Sequence, residues 1–170
     1  MKIPRVSFLG FRFQALGLLL KLSDLTASVF KVGYLPKAPG TWGSLVGLGL
    51  WYAYPAVLWI PILFVIGWGA TWYILPSAPN KDPSFIVIDE VVGMMLTLML
   101  MGRVDLKALG IGFILFRVFD IFKPFPIHWV DHYFEVKNSS ALAAFGVMID
   151  DIIAGIFAGI LGSMLLVLWP

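Results

Sequence analysis

Cysteine is absent, histidine occurs twice, and charged residues make up only 13% of the 170-residue chain. Without a thiol there is no disulfide framework, thiolate metal site or cysteine nucleophile, so cysteine-dependent phosphatases and thiol oxidoreductases are excluded. The sequence also lacks a Gly-x-x-x-x-Gly-Lys-Ser/Thr nucleotide loop, a His-Glu-x-x-His zinc motif, a Gly-x-Ser-x-Gly elbow and an Asp-x-Asp-x-Thr phosphatase signature. The net charge is only +2, and the basic residues are scattered among aliphatic stretches. That distribution argues against nucleic acid as a partner and favours an anionic lipid surface.

What is present is apolar surface, with 60% hydrophobic residues. Such a composition is too apolar for a soluble domain, and the length suits one unit. The expected architecture is all-α, a polytopic membrane helical bundle in one domain over 1–170. Within it, 1–31 forms an N-terminal amphipathic or interfacial segment and 32–170 a helical core. Lys2 and Arg5 precede an apolar stretch as in a signal peptide, but Arg12, Lys21 and Asp24 interrupt it, so the segment reads as retained, with a helix over 7–30. Apolar regions follow at 44–75, 85–101, 106–122 and 147–169. The first is broken by Pro55 and Pro61 and reads as two helices with a reversal between the prolines. The count is about five membrane helices plus the N-terminal one, several shorter than the ~20 residues of a perpendicular span.

Threading these helices alternately through a bilayer places Lys2, Arg5, Arg12, Lys21, Lys31, Lys37, Lys81, Lys123 and Lys137 on one side. Arg103 and Lys107 fall on the other. The first side is therefore expected to be cytoplasmic. Seven Trp and five Tyr read as core and interfacial-belt residues.

Five of the ten acidic residues, Asp89, Glu90, Asp120, Asp150 and Asp151, lie in or beside these apolar regions. A charge at membrane depth costs roughly 2.5–3.5 kcal/mol on insertion scales, so such groups normally face a cavity, a metal or a partner. Oxygen donors without thiols point to a hard cation, and Mg²⁺ held by carboxylates and substrate phosphate is the usual arrangement. Neighbours such as Asp150 and Asp151 project about 100° apart on a helix, so one of each pair is expected to face the site. The competing reading is solvated helix-end acids, or ion pairs with Arg117 and Lys123.

Arg117, Asp120 and Lys123 recur every third residue and form one ridge before Pro124 and Pro126 stop the helix. An Arg fork and a Lys point charge around one Asp suit phosphate beside a metal; an intrahelical salt-bridge ladder has the same spacing. Pro39-Gly40-Thr41-Trp42-Gly43-Ser44 reads as a small-residue loop opening a helix. Its N–H groups favour an anion, although an ordinary turn with a Ser cap has the same composition. Gly93, Gly155 and Gly159 read as helix-packing positions. His128, Asp131 and His132 read as solvated residues of a polar loop.

Four stretches together resemble the bacterial phosphatidylglycerophosphatase A family. They are Pro39-Gly40-Thr41-Trp42-Gly43-Ser44, Ile88-Asp89-Glu90-Val91-Val92-Gly93, Arg117 through Ile127, and Met148-Ile149-Asp150-Asp151-Ile152-Ile153-Ala154-Gly155. The resemblance runs from about residue 32 to the C-terminal helix. It implies a Mg²⁺-dependent phosphatase of the bacterial cytoplasmic (inner) membrane, multi-pass and with its site facing the cytoplasm. The implied reaction removes the terminal phosphate of phosphatidylglycerophosphate to leave phosphatidylglycerol. On that basis Asp89, Glu90, Asp120, Asp150 and Asp151 are the expected metal-binding and catalytic set. Gly40, Thr41, Gly43, Ser44, Arg117 and Lys123 are the expected phosphate contacts. Water attack is the expected chemistry, with a phosphoenzyme on Asp, Thr41 or Ser44 left open. An ion- or proton-coupled transporter using the same carboxylates is the rival expectation.

Overall fold

A computed structural model describes residues 8–78, 83–135 and 139–169. Lys2, Arg5, Lys81 and Lys137 lie outside them, as do the side chains of Arg12 and Asp131. Among the described residues the chain is all-helical, with α1 Phe8–Ala27, α2 Pro39–Ala53, α3 Trp59–Ile74, α4 Ile88–Met101, α5 Leu106–Phe122, α6 Ile127–Glu135 and α7 Ser140–Leu168. Two 3₁₀ turns, Val32–Tyr34 and Leu75–Ser77, join them.

The bundle is built around α4, ten of whose fourteen residues are buried. It packs mainly against α7 and α2, with α3 and α5 completing the ring. Glycines set these crossings. A Cβ on Gly155 of α7 would lie 2.5 Å from the Gly93 carbonyl of α4, and one on Gly47 of α2 would lie 2.5 Å from the Val91 carbonyl. The backbones therefore touch where any side chain would hold them apart, the small-residue packing characteristic of helices in lipid. Thr97 stitches the α4–α7 contact by hydrogen bonds to the Gly93 carbonyl at 2.9 Å and the Gly155 carbonyl at 3.3 Å.

Several sequence expectations change. The reversal after α2 falls at residues 54–58, and Pro61 sits inside the first turn of α3, where its missing N–H has no helical partner to lose. The segment read as a polar loop contains α6. Ile127 is buried there, and Phe134, seven residues further along this short amphipathic helix, packs against Gly146 of α7. α7 starts at Ser140 instead of 147: Ala141 accepts a hydrogen bond from Trp68 at 2.9 Å, and Phe145 packs edge-on against Phe64, Trp68 and Phe134. Asp150 and Asp151 consequently lie roughly 15 Å along α7, not at its end. Among the described residues, Trp59–Ser77 and Ser140–Leu168 are long and apolar enough to cross a membrane by length and composition, two candidate spans where the sequence led to an expectation of about five.

The turn after α1 is tied to the approach to α4. Val87 donates to the Ala27 carbonyl at 2.9 Å, and Tyr34 stacks on Phe85 with centroids 5.2 Å apart. The Tyr34 hydroxyl donates to Asp24 at 2.6 Å, and Asp24 also pairs with Lys31. Partial burial, then the hydrogen bond to Asp24 and its charge, push the Tyr34 hydroxyl up to about 12. Tyr34→Phe keeps the stacked ring and removes the bond. It is expected to lower unfolding free energy by about 1 kcal/mol, read by denaturation in detergent; unchanged stability would show the bond to be idle.

Candidate active site

Four elements meet at one polar cavity of about 280 Å³. α2 contributes Pro39 and Gly40, α4 contributes Asp89 and Glu90, α5 contributes Arg117, Asp120, Ile121 and, at its C-cap, Lys123, and α7 contributes Val147, Asp150 and Asp151. The helix crossings explain the convergence. Asp89 precedes Gly93 by one turn and Asp151 precedes Gly155 by one turn, so the backbone contact of those glycines brings the carboxylates together. Both acids of α4 lie in its first turn, where the helix dipole favours negative charge.

The five acids divide into two groups. Asp89, Glu90 and Asp151 each offer an oxygen within 4.8 Å of the others, a set that can hold a metal ion. Glu90 Oε2 is buried without a hydrogen-bond partner, which is the condition of a group awaiting a cation or proton. Asp120 instead pairs with Arg117 Nη1, and Asp150 Oδ2 accepts from Lys123 Nζ at 2.7 Å. Asp89 and Asp150 also accept at 3.0 Å from the backbone N–H of the residue that follows each of them. Oxygen-only donors of this kind suit a hard divalent cation.

The cations are placed by local backbone. Arg117 Nη1 also donates to Ser44 Oγ at 3.4 Å, and Ser44 in turn donates to the Gly40 carbonyl at 2.8 Å, so α2 supports the guanidinium. Arg117 Nε is buried and has no partner, leaving a donor for a ligand. Lys123 ends α5 with φ 40, a left-handed C-cap ahead of Pro124. A side chain there costs roughly 1–2 kcal/mol that glycine would avoid, a strained position of the sort found at functional sites.

Pro39 is the first residue of α2, so the segment expected to be a loop is the helix's opening turns. Of its residues Pro39 and Gly40 border the cavity. Ser44 acts through Arg117, Gly43 packs against Val87, and Thr41 does not line the cavity. Ser84, Ile86 and Val147 also line it and were not singled out in sequence. Only Ser84 has a readable signal, a hydroxyl shortly before the first turn of α4. A Cβ on Gly40 would collide with Glu90 Oε1 and lie 3.0 Å from Arg117 Nη1. Both are ends of flexible side chains, so Gly40→Ala is expected to fold normally yet lose ten- to a hundredfold in kcat/KM through displacement of these groups. Wild-type kinetics in that variant would remove Gly40 from the site.

Residues 25–166 match the family model described as Phosphatidylglycerophosphatase A. The chain is 35% identical over 152 residues to Phosphatidylglycerophosphatase A of Escherichia coli (strain K12), covering 84% of each chain. It is 35% identical over 147 residues to the Haemophilus influenzae protein of the same name, covering 82% of this chain and 86% of that one. A Bacteroides thetaiotaomicron protein named as a candidate phosphatidylinositol-3-phosphatase is 33% identical over 154 residues, covering 82% of this chain and 91% of that one. No solved structure gives a significant match. With the family model covering most of its length, this chain belongs to the phosphatidylglycerophosphatase A family of phospholipid phosphatases.

Proposed function

We propose that the chain hydrolyses the terminal phosphomonoester of phosphatidylglycerophosphate to phosphatidylglycerol and phosphate, with Mg²⁺, at the cytoplasmic face of a bacterial inner membrane. The observation that carries this reading is the carboxylate trio set across one small cavity from Arg117 and Lys123. A phosphomonoester needs both, cations for its oxygens and an acidic centre for the metal.

Asp89, Glu90 and Asp151 would hold the ion, which supplies charge neutralisation and a more acidic water when bound. Arg117 binds phosphate through its unpartnered Nε and its Nη atoms, and Lys123 binds as a point charge. Asp120 and Asp150 hold those two cations in place and keep them from collapsing onto the trio. Glu90 Oε2, a buried carboxylate oxygen without a hydrogen-bond partner, accepts the proton of the attacking water. The small-residue start of α2 lets the phosphate approach the guanidinium without a side chain intervening.

The cytoplasmic assignment rests on charge, since Lys31, Lys37 and Lys123 lie toward the end of the bundle that bears the cavity and Arg103 and Lys107 toward the other. In this reading α3 and α7 span the bilayer, and the shorter α2, α4 and α5 complete a multi-pass bundle around them. The test is phosphate release from phosphatidylglycerophosphate in detergent micelles with Mg²⁺ or with chelator. Release that requires the ion is expected. Release undiminished by chelator would remove the metal, absence of release from folded protein would remove the activity, and trapping of a phosphorylated chain would replace direct water attack.

A further inference from the structure

We propose that the lipid reaches the cavity sideways over α5, with its acyl chains lying along the line Gly110–Ile114–Val118–Ile121; this rests on the lipid phosphatase reading above. Of the large apolar side chains that border the cavity, Ile121 is the one that also stands exposed, at 64%. Ile86 is buried, Pro39 and Val147 are half-buried, and α3 contributes nothing to the lining. From Ile121 the exposed positions of α5 continue as Val118, Ile114 and Gly110, one per turn down a single line. No heavy atom outside its own helix backbone would come within 4 Å of a Cβ at Gly110, so the line stays open to its lower end.

The dimensions and charges agree with this occupant. From residue 121 to residue 110 the helix rises roughly 16 Å. That is about one leaflet of a hydrocarbon core ~30 Å thick. Arg117 and Lys123 flank Ile121 on the same helix, so a phosphate held by them leaves its glycerol backbone beside Ile121 and its chains directed along the line. The exposed residues of α3, such as Val65 and Ile66, are equally apolar but do not border the polar cavity. Continuity with the phosphate site is what distinguishes α5.

The experiment compares kcat/KM for long-chain phosphatidylglycerophosphate in mixed micelles with that for a water-soluble short-chain analogue. Ile114→Asp is expected to lower the long-chain to short-chain ratio at least tenfold. Ile114→Ser is expected to lower it by less and in the same direction, and it decides the matter if the Asp variant does not fold. Ile66→Asp, at a comparable exposure on α3, is expected to leave the ratio within twofold of wild type. Equal losses on both substrates from the Ile114 variants, or an equal fall in the ratio from Ile66→Asp, would overturn the assignment of α5. A wild type that hydrolyses neither substrate would overturn the phosphatase reading itself.

Discussion

Asp151→Asn is expected to reduce Mg²⁺-dependent phosphate release by about a thousandfold or more while leaving a folded protein. Asp151 is 4% exposed, and its oxygen lies within 4.8 Å of oxygens from both Asp89 and Glu90. Three carboxylates so close and so shielded repel one another unless a cation or protons lie between them. An amide at position 151 removes one negative charge and one strong oxygen donor. It thereby relieves repulsion within the fold, while the developing charge of the reaction loses its counter-charge. Removing a single preorganised electrostatic group typically costs 10²–10³-fold, and loss of the ion adds to that. The change is isosteric, so stability should hold or rise. Two measurements separate the effects: phosphate release with excess Mg²⁺, and Mn²⁺ binding by paramagnetic resonance. Weakened binding with lost turnover is expected, whereas a variant with wild-type rate and affinity would remove Asp151 from the metal site. The same substitution at Asp150 should act differently, because that carboxylate faces Lys123. It should raise KM for substrate more than it weakens ion binding.

The division between Asp150 and Asp151 shows what was legible in sequence and what was not. That adjacent acids on a helix cannot both point the same way follows from 100° per residue, and the structure turns one to a lysine and one to the trio. Which does which depends on the crossing of α7 with α4 and α5, and no local pattern encodes that. α5 matches the apolar region 106–122 at both ends: Pro124 follows its last turn, and Asp105, not singled out in sequence, caps its start by accepting from Ala108 N–H at 3.1 Å. The start of α7 was not. Its first seven residues are held by Trp68, Phe64 and Phe134, tertiary partners that a hydropathy window does not see. α6 was hidden for the same reason, since a nine-residue helix is too short to stand alone and exists through its contact with α7. The opening of α2 was misread because Pro-Gly-Thr describes a turn and a helix start equally well; the packing of Gly43 against Val87 and of Gly47 against Val91 selects the helix.

Gly155→Ala is expected to lower the unfolding free energy by about 1–3 kcal/mol. The new methyl would lie 2.5 Å from the Gly93 carbonyl oxygen, a backbone atom that cannot rotate aside, so α7 must retreat from α4. Thr97, which bonds to the carbonyls of both Gly93 and Gly155, would lose at least one of them in that movement. Asp151 lies one turn away on the same helix and would be carried with it, separating it from Asp89 and Glu90. Displacement of a reacting group by ~1 Å can cost about a hundredfold in rate. Activity is therefore expected to fall to roughly that extent even below the melting temperature. Gly69→Ala provides the contrast. No heavy atom outside its own helix backbone and chain neighbours lies within 4 Å of its Cβ position on α3, and alanine is the better helix former, so the melting temperature should stay level or rise and activity should persist. Thermal unfolding in detergent beside phosphate release decides between the two sites. Equal behaviour of the two variants would mean that the α4–α7 contact does not set the carboxylate geometry. A loss confined to Gly155→Ala would tie the catalytic arrangement to the backbone contact between α4 and α7.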